Sequence, residues 1–329
     1  MAKTTQPRAF YGSYFHAPEY GSFEYLENAL IEVGEDGVIE RVIAHDDPDQ
    51  GAALARAREA GELYELGENR YGLPGFVDIH VHSPQWPQAA LALDEPLYRW
   101  LDERTFPLES KFADVDFAKK VYSDLVDQLL ARGSTTTVYL GSAHLDATVA
   151  LAEICADRGQ RALVGKTVMD DPAANPDYYR DASPEQAIRD TESLIREVEA
   201  IGRTSRAGAW PVITPRFTPS CTDEVLRGLG NLAEYTGAYV QTHCNEGQWE
   251  HDVVLERFGK TDPYALRDFG LLREHSIMAH CPYLTEEEGE MFAELGVSIA
   301  HCPMANSYFS SAVAPVQRFR SQGIHVGLG

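Results

Sequence analysis

The spacing of apolar residues changes character near Leu73. Ahead of that point the apolar runs are short and cut by turns. Ala29-Leu30-Ile31-Glu32-Val33 and Val38-Ile39-Glu40-Arg41-Val42 flank Gly34-Glu35-Asp36-Gly37, which predicts a β-hairpin. A hairpin this small must pack on other structure, and the Ala-, Gln- and Arg-rich stretch 48–62 predicts a short helix. Beyond Leu73, β-rich runs near 76–82, 135–140, 161–165, 211–215, 238–243, 276–280, 297–301 and 324–328 alternate with amphipathic stretches. Within 114–132, Phe117, Val121, Leu125 and Leu129 recur every four residues, and Gly133 supplies a stop. Ser183-Pro184-Glu185-Gln186 offers an N-cap, a first-turn proline and a capping-box partner. After Thr285, Glu286, Glu287 and Glu288 sit where a helix dipole favours negative charge. Eight β-then-α alternations predict an α/β fold, a (β/α)8 barrel rather than an open doubly wound sheet. The expected division is 1–73 as part of a small β domain and 74–329 as the barrel.

Composition narrows the partners. With 28 Lys+Arg against 51 Asp+Glu, 28 − 51 gives a net charge of −23, which repels phosphate backbones and anionic lipid. A nucleic-acid polymer is excluded as the expected partner. No apolar run approaches the roughly 20 residues that cross a bilayer, and Met1 to Gln6 lead into no signal core, so a soluble, cytoplasmic protein without a membrane partner is expected. Cys155, Cys221, Cys244, Cys281 and Cys302 are odd in number, scattered and free of any C-x-x-C, which fits a reducing compartment and no structural zinc knuckle. Gly159 to Thr167 ends like a phosphate loop, but its glycines are one residue too far apart and straddle an expected strand.

The histidines carry the chemistry. In Pro74-Gly75-Phe76-Val77-Asp78-Ile79-His80-Val81-His82, side chains two apart on a strand share a face, so His80 and His82 point together. Two imidazoles crowded in an interior repel when protonated, and a divalent cation relieves this by binding both as neutral ligands. His243, His280 and His301 each close an expected strand, and strand C-termini converge at one mouth of a barrel.

The Pro-Gly-Phe-Val-Asp-x-His-x-His stretch, with histidines closing the fifth and sixth strands, resembles the amidohydrolase superfamily of metal-dependent barrel hydrolases. Leu97 to Leu101, Thr105-Phe106-Pro107-Leu108-Glu109, Thr214-Pro215-Arg216-Phe217, Thr242 to Glu246 and Ala300 to Ser307 are similar to its guanine deaminase branch. The resemblance implies a barrel accompanied by a small β-sandwich, and His80, His82, His243 and His280 as ligands of Zn2+, with iron as the alternative. It leaves His301 as a wall or hydrogen-bonding residue. It further implies Glu246 and His280 as catalytic groups, with Glu246 moving a proton to the ring as water adds. Gln85, Trp100, Arg216, Phe217 and His243 are the expected substrate contacts. Arg216 has only donors, which suits the carbonyl of guanine and opposes the amino group of adenine.

The expected reaction is hydrolysis of guanine to xanthine and ammonia by a homodimer. The competing readings are another amidohydrolase acting on a pterin or triazine, or an inactive barrel serving as a scaffold. The superfamily's last ligand is an aspartate closing strand eight. This chain reads Ile324-His325-Val326-Gly327-Leu328-Gly329, and the resemblance implies a continuing Thr-Asp. The expectation is therefore a truncated, weakly active or inactive chain lacking that ligand, the last helix and the remainder of the sandwich. His325, inside the strand, is a poor substitute.

Overall fold

The computed structural model describes residues 7–329 and divides into two compact units that meet in sequence at Gly75 and Phe76, two residues beyond the expected boundary. The first contains strands β1 (Ala9–His16), β2 (Glu24–Val33) and β3 (Ile39–Ile43), helix α1 (Gln50–Ala60), and strands β4 (Leu63–Glu65) and β5 (Tyr71–Gly72). The expected hairpin is β2 and β3, antiparallel, with Leu30 opposite Ile43. Sequence reading did not anticipate β1, which pairs with β2 antiparallel and with β4 and β5 in parallel. Its alternation is broken by a register shift between Gly12 and Tyr14, which obscures the period-two pattern. Gln50 pins the start of α1 to the hairpin, donating through Nε2 to the carbonyls of Asn28, Ile43 and Ala44. Ala9, Leu30, Ile43, Ala53 and Ala57 form the core between sheet and helix. This unit holds one mixed five-stranded sheet; a second layer that would make it a sandwich is not among the described residues.

The second unit is the barrel. Its strands are β6 (Phe76–His82), β7 (Ser134–Leu140), β8 (Arg161–Gly165), a two-residue extension β9 (Thr167–Val168), β10 (Ala209–Pro215), β11 (Tyr239–Cys244), β12 (Ser276–His280), β13 (Ser298–His301) and β14 (His325–Leu328). All pair in parallel in the order β11-β12-β13-β14-β6-β7-β8-β10, and β10 closes the ring onto β11. The helices are α2 (Leu97–Trp100), α3 (Phe106–Glu109), α4 (Val115–Ala131), α5 (Leu145–Arg158), α6 (Pro184–Thr204), α7 (Asp223–Thr236), α8 (Gln248–Phe258), α9 (Asp262–Asp268), α10 (Glu286–Leu295), α11 (Pro303–Ser310) and α12 (Val316–Ser321). None of them is long and apolar enough to cross a membrane.

Local signals explain these elements. α4 buries Ala118, Tyr122, Leu125 and Val126, so its stripe centres about one residue beyond Phe117, Val121 and Leu129, which pack at its margin. Thr285 and Glu288 form the reciprocal capping box of α10. Ser183 caps α6 by accepting from the Gln186 backbone N–H, but the Gln186 amide turns along the helix to Asp190, so the expected return bond is not made. Inside the barrel, Gln241 on β11 ties β7 to β10 by donating to the Tyr139 carbonyl and to Thr214 Oγ1. Gly165 is needed beside it, because a Cβ there would lie 1.9 Å from Thr214 Oγ1. All five cysteines are buried and unpaired, in keeping with the expected absence of disulfides.

Candidate active site

Parallel strands ending at one rim bring the histidines together. His80 and His82 reach it from β6, His243 from β11 and His280 from β12, where Cys244 pairs with His280 in register. The His80 ring centroid lies 5.0 Å from that of His82, 4.9 Å from His243 and 5.4 Å from His280. His82 Nε2 and His243 Nε2 face each other at 2.8 Å. Burial, reinforced by mutual repulsion, pushes the pKa of His80 and His82 well below the usual imidazole range and that of His243 down to about 3. These three imidazoles are therefore neutral at pH 7, the form in which imidazole binds a metal.

Each outer ring nitrogen tells the same story. His243 Nδ1 meets the Arg216 carbonyl oxygen, an acceptor that requires the proton on Nδ1 and leaves Nε2 with its lone pair. His280 Nδ1 contacts Asn306 Oδ1 at 2.8 Å, with the same effect. His80 Nε2 is buried with no hydrogen-bond partner, the mark of a nitrogen whose natural partner is a cation. Donor atoms of His80, His82 and His243, and separately of His243, Glu246 and His280, lie within 4.8 Å of one another, so this donor set fits a divalent metal.

The backbone at this rim departs from strand geometry. His280 and Cys281 have φ of 75° and 53°, and Asn245 has φ of 52°, left-handed values that L-residues adopt at a cost of about 1–3 kcal/mol each and that cluster at functional sites. The turn at Asn245 delivers Glu246, whose Oε1 lies 3.6 Å from His280 Nε2. Glu250 at the start of α8 holds this turn by accepting from the Glu246 backbone N–H at 2.6 Å, and Ser310 donates to the Glu246 carbonyl.

A cavity of about 360 Å3 opens over the cluster, and Gln85, Trp100, Arg216, Phe217, His243 and Glu246 all line it, together with His80, His82, His280 and Gly329. Phe217 presents its ring edge-on to His243, with centroids 6.5 Å apart. Trp100 packs on Phe309 and donates its indole N–H to the Leu91 carbonyl, so only its apolar face remains for a ligand. His301 is a departure from expectation: it does not line this cavity but a neighbouring one with Pro303, Asn306 and Arg318. Being at the end of a strand fixes height along the barrel, not the side to which the ring turns. His325 is exposed on β14.

Sequence reading assigned no role to three residues that hold the site. Glu109 is buried and accepts from Arg216 Nη1 at 2.7 Å and Nη2 at 3.3 Å, and from Gln85 Nε2 at 3.0 Å. Burial disfavours the Arg216 charge, but Glu109 outweighs it and leaves the guanidinium pKa raised. The available signal was Arg216 itself, since a guanidinium inside a barrel demands a carboxylate. Asn306 and Glu250 act behind His280 and Glu246; Asn306 lies within the Ala300 to Ser307 stretch, but its residue type and spacing did not single it out, and Glu250 had no sequence signature.

Residues 71–329 match the model of the amidohydrolase family. The chain belongs to the amidohydrolase family. Among relatives, it is 37% identical to guanine deaminase of Dictyostelium discoideum, over 98% of this chain and 72% of that protein. It is 36% identical to a probable guanine deaminase of Schizosaccharomyces pombe, over 97% of this chain and 60% of that protein. The mouse guanine deaminase is 35% identical over 100% of this chain and 72% of its own length. As an amidohydrolase fold, the structure superposes with a TM-score of 0.87 on guanine deaminase from C. acetobutylicum with guanine in its active site, at 30% identity over 98% of this chain and 74% of that one. These amidohydrolases are thus longer than the chain, which spans 60–72% of the three curated relatives.

Proposed function

We propose that this amidohydrolase deaminates guanine to xanthine and ammonia. The observation that carries the reading is the convergence on one cavity of four imidazoles and Glu246 with a buried Arg216, a Gln85 amide and the Phe217 ring. Similarity to guanine deaminases along nearly the whole chain supports it.

His80, His82, His243 and His280 would hold zinc, with iron as the alternative for a histidine-rich site. Such a cation, when bound, lowers the pKa of water to about 7 and so supplies the nucleophile. The chain's own residues do the rest. Phe217 offers an aromatic face to the purine, and Arg216 donates to its carbonyl oxygen. As water adds to the carbon bearing the amino group, Glu246 takes a proton from it and delivers it to the ring nitrogen. The C–O bond then persists, the C–N bond breaks, and the remaining proton leaves with ammonia. His280, whose Nε2 lies 3.6 Å from the Glu246 carboxylate, would serve the reaction as a ligand of the cation beside that carboxylate.

The proposal includes a cytoplasmic homodimer; five buried, unpaired cysteines support the reducing compartment. The test is ammonia release from guanine, adenine, cytosine, a pterin and a chlorotriazine, with bound metal measured in the same preparation. Selective turnover of guanine supports the proposal, turnover of the pterin or triazine instead replaces it, and metal-free protein inert towards all five points to a scaffold.

A further inference from the structure

Arg216 and Gln85 share one neighbour, and its chemistry dictates what they can offer a ligand. The Glu109 carboxylate is 1% exposed and carries only acceptor oxygens. It accepts from Gln85 Nε2 at 3.0 Å, and a carboxylate in this place repels an amide oxygen, so the Gln85 amide can turn only one way. Gln85 Nε2 thus faces Glu109 and lies 3.2 Å from His82 Nδ1, which leaves Oε1 for the cavity that Gln85 lines. The same carboxylate engages both terminal nitrogens of Arg216. The Phe106 ring lies 5.1 Å from the guanidinium carbon and fixes its plane.

We propose, resting on the guanine reading above, that Glu109 is a positioning residue that sets the hydrogen-bonding polarity of the substrate cavity. It commits Gln85 to act as an acceptor and Arg216 to present its remaining N–H groups as donors. An acceptor and a donor set side by side match a heterocycle carrying a ring N–H and a carbonyl oxygen, and mismatch one with an amine or a bare ring edge in the carbonyl position. The fold builds this in deliberately. Residues 101–105 form a π-helical turn directly ahead of Pro107, which has no N–H for a regular helical bond, and the displaced helix ends by placing Glu109 inward. Glu109 acts through Gln85 and Arg216 and requires no contact with the ligand.

Comparison of guanine with 2-aminopurine tests this, because the two carry the same amino group and only guanine has the carbonyl. In Glu109→Gln the side chain at 109 can offer its own N–H, and Gln85 is free to turn over. The expected result is a fall in kcat/KM for guanine of about 10- to 100-fold, mostly through KM, the scale of a charged hydrogen bond. The value for 2-aminopurine, as substrate or competitive ligand, changes by less than about 3-fold, so the preference for guanine shrinks. Glu109→Asp keeps the charge but withdraws it by one methylene, and shows a smaller loss in the same direction. If Glu109→Gln does not fold, the Asp variant decides alone. Parallel losses on both ligands, or a preference unchanged in the folded variants, overturn the proposal. Wild-type protein that neither turns over guanine nor binds it in preference to 2-aminopurine overturns it too, but by defeating the functional reading beneath it.

Discussion

Replacing Arg216 by methionine separates what the buried pair does for stability from what it does for substrate. The Arg216 and Glu109 side chains are 3% and 1% exposed, and two N–H···O contacts of 2.7 and 3.3 Å join them. Removing only the cation strands a carboxylate in a nearly dry interior, an error worth about 3–5 kcal/mol. For a chain of this size that is a fall of roughly 4–7 °C in Tm. Apolar replacement of both partners should cost far less, because desolvating a charge pair consumes most of its Coulomb attraction. Arg216→Met with Glu109→Leu is therefore expected to recover all but about 1 kcal/mol, the residue reflecting the Gln85 bond to Glu109. Guanine turnover should be lost in both proteins, since neither supplies donors for the carbonyl. The assay is thermal and urea unfolding of wild type, both single variants and the double variant, with deamination measured in parallel. A double variant whose loss equals the sum of the two single losses would show that the two residues are not energetically coupled. Retained preference for guanine without Arg216 would refute its role in recognition.

Other expectations follow from the same geometry. Glu246→Gln should bind metal normally and lose kcat by about 10²–10⁴, the usual contribution of a proton-transferring side chain; loss of metal instead would reassign Glu246 as a ligand. Asn306→Ala frees the outer nitrogen of His280 and should weaken metal affinity or activity by about 10–100-fold, checked by metal titration. In metal-free protein, His243 binds its proton near pH 3 when folded and near 6.5 when unfolded. Between those values the unfolded state binds more protons, so stability is complete above about pH 6.5 and falls with acidification by up to ~1.4 kcal/mol per pH unit for this imidazole. Urea midpoints across pH 4–8 would show it, and a flat profile in that window would rule out a neutral buried cluster.

The barrel was legible because each of its strands is a compact apolar run closed by a turn or cap, and strand ends must converge. His80 and His82 could be read as a pair from one strand. Strand-end position grouped His243, His280 and His301 with them, and only the amidohydrolase resemblance set His301 apart. Less local facts stayed hidden. His301 occupies the same kind of position yet lines a different cavity, because strand-end location leaves facing undetermined. Glu109 is joined to Arg216 across 107 residues through a π-helical turn that no simple period announces. The Gln186 cap failed through competition, as Asp190 one turn on attracts its amide. β1 escaped notice because its register shift erases alternation.

Arg216 faces two ways. Its main-chain carbonyl orients His243, while its guanidinium belongs to the substrate cavity. A peptide oxygen stays in place whatever residue bears it, so exchanging the side chain at this position leaves the orientation of the imidazole untouched. Selectivity and reactivity therefore meet at one locus while remaining separately adjustable, which makes 216, together with its counterpart at 109, the natural pair for retargeting this scaffold to new heterocycles.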